Sequence, residues 1–365
     1  MRESRTTLDQ IDRARGGTIK PIRVMVVDDS LTVRTVFSRM VESDPGLIVS
    51  STANNAEQAI DLLKKTEVDV ILLDLEMPGM GGLEALPKIL TTAKGAQALV
   101  VSSLTQDGAE HTLAALSMGA AETMQKPRSG GFDDSYRASL LDKIRALGGL
   151  DPDMPKPSWQ KAAPKALARA KRPEVIAIGA STGGIHALNI VLRALPQDFA
   201  LPILVTQHLP ASFMPVFARQ VEVASARRTS IAEEGTRIRR GEILIASGEG
   251  HMEVQRNGEH LQTTLSRKPA RTGCLPSVDP MLESLSTACK GNVLAVILSG
   301  MGTDGMSGAK CVVESGGTVL AQNAETSAVW GMPGAVAKAD LASAILPPEE
   351  LATEILNLAG AAAWK

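Results

Sequence analysis

The segment Gly-Ala-Ser-Thr-Gly-Gly, residues 179–184, follows an apolar run and precedes a helical pattern. It could hold a phosphate group, expose Ser181 as a nucleophile, or only change the direction of the chain. A dinucleotide site needs the spacing Gly-x-Gly-x-x-Gly and an acidic residue at the end of the next strand. Here the spacing differs, and the next apolar run, residues 201–210, contains neither Asp nor Glu. The sequence therefore disfavours a nucleotide-dependent oxidoreductase.

Ser181 fits the pattern Gly-x-Ser-x-Gly, in which a sharp turn between a strand and a helix exposes the hydroxyl. A serine nucleophile needs a general base, and the base needs a carboxylate that orients it. His208 ends the next apolar run, and Asp304 lies in a glycine-rich turn after another one. Because parallel strands bring their carboxyl ends to one sheet edge, we predict that these three side chains meet. His186 is the competing base, but it should lie along the helix that follows Ser181.

A second set of polar residues ends the strands of the N-terminal half. Asp28 and Asp29 follow the first strand, Asp74 the third, Ser102 the fourth and Lys126 the fifth. Carboxylates that share a pocket repel one another unless a cation neutralises them, and oxygen ligands favour Mg²⁺. The lysine and the hydroxyl could then hold the oxygens of an incoming phosphoryl group. These residues therefore predict a magnesium-dependent phosphoryl site.

The elements that must position both sets alternate between strand and helix. Near-continuous apolar runs alternate with amphipathic patterns from residue 22 to residue 127, and again from residue 174 onward. This alternation is typical of parallel sheets covered on both faces. Asn257-Gly258, between two alternating segments, predicts a hairpin with a type I′ turn. The predicted fold class is α/β in two domains: a flavodoxin-like five-stranded parallel sheet, then a mostly parallel sheet with an antiparallel hairpin.

We expect a polar tail over residues 1–20, a first domain over 21–130, a linker over 131–172 and a catalytic domain over 173–362. The linker is indicated by a stretch rich in proline, alanine and basic residues that contains no acidic residue (155–173). A basic docking site is the alternative interpretation of the same stretch.

The composition excludes several classes of protein. A net charge of −2 and an aromatic content of 2% argue against a nucleic-acid partner. No run approaches the ~18 apolar residues of a membrane span, and the N-terminus lacks the apolar core of a secretory signal. We therefore expect a cytoplasmic protein that does not insert into membranes, and a monomer. The three cysteines are odd in number and widely spaced, so they are expected to be small buried side chains.

The residues at the strand ends of the N-terminal half resemble the site of bacterial response-regulator receiver domains, over residues 22–127. The resemblance implies phosphorylation by a sensor histidine kinase. The implied roles are phosphorylation at Asp74, magnesium binding by Asp28, Asp29, Asp74 and the backbone carbonyl of Glu76, and phosphoryl binding by Ser102 and Lys126.

Two positions depart from the receiver pattern. Gly81 stands where an acidic residue is common, and Thr123 stands where many receivers carry an aromatic switch. Phosphorylation chemistry is expected to be intact, whereas these departures bear on how phosphorylation is transmitted.

The segments IGASTGG, QH, ILSGMGTDGMSG and AETSAVWGMPGA resemble the protein-glutamate methylesterases of bacterial chemotaxis, the CheB family. The resemblance extends from about residue 22 to residue 360. It implies that Ser181 is the nucleophile, His208 the general base and acid, and Asp304 the orienting carboxylate. It also implies that backbone groups near Thr182 and Met301 stabilise the oxyanion.

The function implied by this resemblance is that of a carboxylic ester hydrolase. It would convert glutamyl methyl esters on methyl-accepting chemoreceptors to glutamate and methanol, with no cofactor for the ester reaction. Family members can also deamidate receptor glutamines. The receiver is expected to inhibit the esterase until Asp74 is phosphorylated, in a two-component pathway. The alternative is a receiver-containing adaptor of a sensory array that has no catalytic activity.

Overall fold

The computed structural model describes residues 20–102, 106–127, 131–149 and 172–360. Contacts between residues divide the chain into two compact units, 1–151 and 152–365. The predicted polar tail, apart from residue 20, and most of the predicted linker lie outside the described residues. Among the helices described, none has both the length and the apolar composition needed to cross a membrane.

The first unit is built on one five-stranded parallel sheet. Its strands β1 to β5 are Ile22–Val27, Leu47–Ala53, Val70–Asp74, Gln97–Ser102 and Glu122–Gln125. Its helices are Leu31–Glu42, Ala56–Leu63, Gly82–Thr92, Gln106–Ser117 and Asp134–Leu147. The strand order is β2-β1-β3-β4-β5, and every residue of β3 is buried because helices cover both faces. The predicted flavodoxin-like sheet is confirmed.

The last helix of this unit, Asp134–Leu147, lies where the sequence predicted a linker. Asp133 caps it by accepting a hydrogen bond from the backbone N–H of Tyr136 at 2.8 Å. The rings of Phe37, Phe132 and Tyr136 pack against one another, and Leu140 is fully buried. The apolar residues of this helix form a short stripe among charged residues, so the sequence pattern alone did not indicate a buried helix. The helix therefore belongs to the core of the first unit.

The second unit is built on a seven-stranded sheet and a two-stranded hairpin. Its strands β6 to β14 are Val175–Ala180, Ile203–Gln207, Thr229–Ile231, Ile243–Ile245, His251–Asn257, His260–Ser266, Val293–Ile297, Thr318–Gln322 and Ala344–Leu346. Its helices are Gly184–Ala194, Met214–Ser225, Val278–Ala288, Met306–Glu314, Met332–Lys338 and Pro348–Ala359, with a 3₁₀ turn over Ala211–Phe213. The large sheet has the order β14-β13-β12-β6-β7-β9-β8, and its strands pair in parallel.

The hairpin predicted from Asn257-Gly258 is confirmed. Strands β10 and β11 pair antiparallel, with Asn257 opposite His260, and Gly258 has a φ of +59°. The backbone N–H of Val254 donates a hydrogen bond to Ser284 Oγ at 2.9 Å. This bond ties the hairpin to the helix Val278–Ala288.

Three central strands of the large sheet end side by side. Strand β6 lies between β12 and β7, with Ala180 opposite Gln207 and Gly179 opposite Ile297. The residues that follow these strands therefore emerge together at one edge. That edge carries both glycine-rich segments noted in the sequence.

Candidate functional site

A tight turn at the end of β6 presents Ser181. The Ser181 N–H donates to the carbonyl of Ser299 at 3.0 Å, and its carbonyl accepts from Gln207 Nε2 at 3.0 Å. Gly183 has a φ of +75°, and a Cβ there would lie 2.5 Å from the Cβ of Ala328. Glycine is thus required at 183 by both conformation and space. The turn leaves Ser181 partly exposed.

His208 connects this serine to a carboxylate. Its Nδ1 lies 3.1 Å from Ser181 Oγ, and its Nε2 lies 2.7 Å from Asp304 Oδ2. The structure therefore brings together the three side chains that the sequence placed at one sheet edge. His186, the competing base, is exposed on the following helix, whereas His208 is the histidine that contacts the hydroxyl. This arrangement can transfer a proton from the serine to the ring.

Asp304 is held in place by the first turn of the helix Val278–Ala288. It is 1% exposed, and its oxygens accept hydrogen bonds from Val278 N, Ser277 Oγ, Gly305 N and Asp279 N in addition to His208. Burial alone would raise the pKa of Asp304, but the hydrogen bonds from His208, Val278 and Ser277 outweigh it and lower the pKa. The positive end of the helix dipole acts in the same direction. Asp304 is therefore an ionised, fixed partner for the ring.

The same contacts favour the protonated form of His208. Burial alone would lower the pKa of this imidazole, but hydrogen bonding to Asp304 and Cys274 outweighs it and raises the pKa to about 9. The site thus stabilises the imidazolium that forms when the ring accepts a proton. It also makes the supply of neutral imidazole dependent on pH.

Cys274 was not indicated by the sequence as part of this site. The cysteines were expected to be buried, yet Cys274 and Cys311 are partly exposed, and only Cys289 is buried. The Cys274 sulfur, a ring nitrogen of His208 and a carboxylate oxygen of Asp304 all lie within 4.8 Å of one another. Hydrogen bonding to His208 lowers the pKa of the Cys274 thiol. Cys274 lies three residues before Ser277. That spacing indicates that Cys274 lies near the site only when the contact between Ser277 and Asp304 is known.

The predicted oxyanion donors belong to segments that adjoin Ser181. Thr182 is buried directly after it, and Met301 is 42% exposed in the loop after β12. Gly300 allows that loop to approach, because a Cβ at 300 would lie 2.7 Å from Ser181 Cβ. The role of the backbone near Thr182 and Met301 stays a prediction.

The first unit gathers its acidic residues at the carboxyl edge of its own sheet. Carboxylate oxygens of Asp28, Asp29 and Asp74 lie within 4.8 Å of one another. Lys126 Nζ lies 2.8 Å from Asp28 Oδ2 and 2.7 Å from Asp74 Oδ2. Oxygen donors alone, three of them anionic, are the set that Mg²⁺ prefers, so these residues fit that ion.

Burial controls the charge of Asp74, which is 2% exposed. Burial raises the pKa of Asp74 to about 6, although the ion pair with Lys126 opposes the shift. The backbone N–H of Glu76 also donates to Asp74 Oδ1, at 3.1 Å. A negative charge at Asp74 is thus costly unless cations compensate it.

Ser102 lies at the predicted strand end, but its hydroxyl already has a partner. Ser102 Oγ lies 2.5 Å from Thr112 Oγ1 inside the first unit. Because a hydroxyl can accept one hydrogen bond and donate another, this contact is compatible with a bond from Ser102 to a phosphoryl oxygen on Asp74. Of the two departures from the receiver pattern, Gly81 precedes the helix Gly82–Thr92 and Thr123 is half-buried on β5.

Comparison with known proteins matches both units of the chain. The profile of the CheB methylesterase family matches residues 176–355, and that of the response regulator receiver domain matches 24–131. A Rhodospirillum rubrum protein named protein-glutamate methylesterase/protein-glutamine glutaminase 1 is 40% identical over 97% of this chain and 98% of its own.

A protein of the same name from Paramagnetospirillum magneticum is 41% identical over 93% of this chain and 96% of its own. The crystal structure of the CheB methylesterase catalytic domain of Thermotoga maritima aligns with 51% of this chain and 98% of its own, at 33% identity and a TM-score of 0.50.

Proposed function

Because the chain belongs to the CheB family of protein-glutamate methylesterases, we propose that it hydrolyses glutamyl methyl esters on methyl-accepting chemoreceptors, releasing methanol and restoring glutamate. The observation that carries the proposal is the continuous contact from Ser181 through His208 to Asp304. An adaptor without catalytic activity would have no need of an aligned nucleophile, base and carboxylate. The relatives' names include glutaminase activity, so we extend the proposal to deamidation of receptor glutamines.

The reaction begins with neutral His208, whose proton lies on Nε2 and points to Asp304. Ser181 Oγ attacks the ester carbonyl carbon while Nδ1 of the ring accepts the serine proton. Asp304 stabilises the resulting imidazolium through the 2.7 Å contact. We propose that backbone N–H groups near Thr182 and Met301 stabilise the oxyanion.

The ring then returns the proton to the departing methoxide, which leaves as methanol and gives an acyl-enzyme on Ser181. His208 next accepts a proton from water, and the resulting hydroxide attacks the acyl carbon. Collapse of this second intermediate releases the glutamate side chain and restores the serine hydroxyl. An amide substrate follows the same path, with ammonia as the leaving group.

We also propose that phosphorylation of Asp74 by a sensor histidine kinase relieves inhibition of the esterase. Asp28, Asp29 and the carbonyl of Glu76 would hold Mg²⁺ beside Asp74, and this ion supplies charge neutralisation for phosphoryl transfer. Lys126 already contacts Asp74 and would bind the phosphoryl oxygens. Because Asp74 is buried, where negative charge is costly, a new dianion there changes the local electrostatics strongly.

We propose that the enzyme acts in the cytoplasm, since its proposed substrates are side chains on cytoplasmic receptor helices. We also propose that it is a monomer. Methanol release from methylated receptors, measured with the full chain, tests the esterase assignment. Ser181→Ala should abolish release, while Ser307→Ala, on the separate helix Met306–Glu314, should retain it. Release by Ser181→Ala would refute the nucleophile. No release by the unmodified protein, with or without phosphodonor, would favour the adaptor.

Regulation is tested in the same assay with a small-molecule phosphodonor and Mg²⁺. The phosphodonor should raise the esterase rate of the unmodified protein and leave Asp74→Asn unchanged. A variant at Asp74 that still responds would refute the proposed control site, while leaving the esterase assignment intact.

A further inference from the structure

Three side chains that bind transition metals meet beside Ser181. One ring nitrogen of His208, the sulfur of Cys274 and one carboxylate oxygen of Asp304 lie within 4.8 Å of one another. They come from three separate segments: the end of β7, the loop before the helix Val278–Ala288, and the loop after β12. Cys274 and His208 are only partly buried, so solvent can reach the cluster.

The donor types distinguish this cluster from the acidic cluster of the first unit. Nitrogen, sulfur and oxygen donors from three residues suit Zn²⁺, which can complete its tetrahedral coordination with a water molecule. The acidic cluster formed by Asp28, Asp29 and Asp74 offers oxygen alone and suits Mg²⁺. The two sites should therefore select different ions.

The geometry needs only a small adjustment to hold Zn²⁺. Zinc lies about 2.0–2.3 Å from nitrogen, oxygen and sulfur ligands, so tetrahedral neighbours are separated by about 3.3–3.7 Å. The three ligand atoms lie at most 4.8 Å apart, so the separations that zinc needs require only short shifts, and the 2.7 Å contact between His208 and Asp304 would open by at least about 0.6 Å. Asp304 keeps its bonds to the first turn of the helix Val278–Ala288, which orient it as outer-shell contacts do in metal sites.

We propose that His208, Cys274 and Asp304 form a zinc site and that bound Zn²⁺ inhibits the esterase. The metal replaces the ring proton that faces Asp304 and the thiol proton of Cys274, and both protons pass to solvent. A ring attached to a dication is a poor proton acceptor, so Ser181 loses its base. Binding does not depend on the proposed function, whereas inhibition rests on it.

Zinc binding is measured on the full-length, tag-free chain by equilibrium dialysis, with excess Mg²⁺ to occupy the acidic cluster. Cys274→Ser and Cys274→Ala remove the sulfur, and Cys311→Ser is the matched control because it removes another partly exposed thiol. The unmodified chain and the control should bind one Zn²⁺ with equal affinity. The two Cys274 variants should bind it at least about 100-fold more weakly, since loss of an outer-shell partner alone can cost that much.

Cobalt supplies a second readout that does not depend on activity. Co²⁺ should produce a thiolate-to-metal charge-transfer band in the unmodified chain and in Cys311→Ser, and this band should be lost in Cys274→Ser. Equal zinc affinity in all four proteins, or a cobalt band that survives in the Cys274 variants, would overturn the site.

Inhibition is then measured as methanol release with and without zinc. Micromolar zinc should lower the rate of the unmodified chain, a chelator should restore it, and Cys274→Ser should keep the rate it has without zinc. Zinc bound at Cys274 without loss of rate would overturn the inhibitory role. If the unmodified chain released no methanol at all, the proposed function would fail, and dialysis would still decide the zinc site.

Discussion

Replacement of Asp304 by asparagine should disable catalysis by reversing the protonation of His208. In the structure Oδ1 accepts hydrogen bonds from Ser277 Oγ and from two backbone N–H groups, whereas Oδ2 accepts from one backbone N–H and the ring. The asparagine NH₂ must take one of these positions. It should take that of Oδ2, because fewer backbone donors oppose it there.

An NH₂ group at the Oδ2 position donates to His208, so Nε2 becomes an acceptor. The single proton of the neutral ring then lies on Nδ1, 3.1 Å from Ser181 Oγ. Nδ1 can no longer accept the serine proton. The comparable substitution in a serine protease triad lowers kcat about 10⁴-fold, which corresponds to about 5 kcal/mol of barrier. We expect a loss of this size in Asp304→Asn.

The assay is methanol release from methylated receptors, with Asp279→Asn as the matched control. Asp279 is also a buried carboxylate at the start of the helix Val278–Ala288, but its side chain accepts from Gly308 N at 2.8 Å. The rate of methanol release by the control should fall less than about tenfold, because the substitution shifts the catalytic groups only slightly. Equal losses of rate in the two variants would show a structural effect and refute the tautomer reasoning. An Asp304→Asn enzyme whose rate is within tenfold of the unmodified one would also refute that reasoning.

Three further predictions follow from the pKa values and from close packing. The kcat/KM for methanol release should rise with pH through about 9, because His208 acts as a base only when neutral; a plateau above the ordinary histidine pKa of about 6.5 would contradict this. Asp74→Asn should stabilise the first unit at pH 7 by up to about 3 kcal/mol, because the folded pKa of about 6 lies above the unfolded value of 3.8. Calorimetry should show this gain shrinking as the pH falls through the folded pKa toward the unfolded value, since the folded carboxyl is then neutral. Gly300→Ala should lower esterase kcat without changing phosphorylation of Asp74, because its Cβ would lie 2.7 Å from Ser181 Cβ and 2.4 Å from Met332 Sδ.

The sequence predicted well those features that follow from strand order. The apolar runs before Ser181 and His208 are strands β6 and β7, and adjacent parallel strands necessarily bring their ends together. The same reasoning placed Asp28, Asp74 and Lys126 in one pocket, where the structure finds them paired. Local sequence patterns were sufficient to predict which residues meet, because neighbouring strands of a parallel sheet end side by side.

Features that depend on packing beyond the order of the strands were not predicted. The helix Val278–Ala288 fixes Asp304 through residues that lie 25 to 27 positions away in the chain. No sequence pattern around Asp304 predicts these hydrogen bonds. Cys274 reaches His208 by the same packing. The helix Asp134–Leu147 was missed for another reason, because its apolar stripe is short and only its burial against the first unit reveals it. Ser102 lies at the predicted end of β4, but the sequence did not predict that its hydroxyl contacts Thr112.

The orientation of the His208 ring follows from the backbone that carries it. The His208 N–H donates to the carbonyl of Ala180 at 3.0 Å, and Ser181 is the next residue in the chain. The serine therefore lies close to the main chain of His208, within reach of Nδ1, the ring nitrogen nearer the backbone. Nε2 points outward to the more distant Asp304. Since strand pairing sets which nitrogen receives the serine proton, a shift of one residue between β6 and β7 would separate the base from its nucleophile even with every catalytic side chain retained.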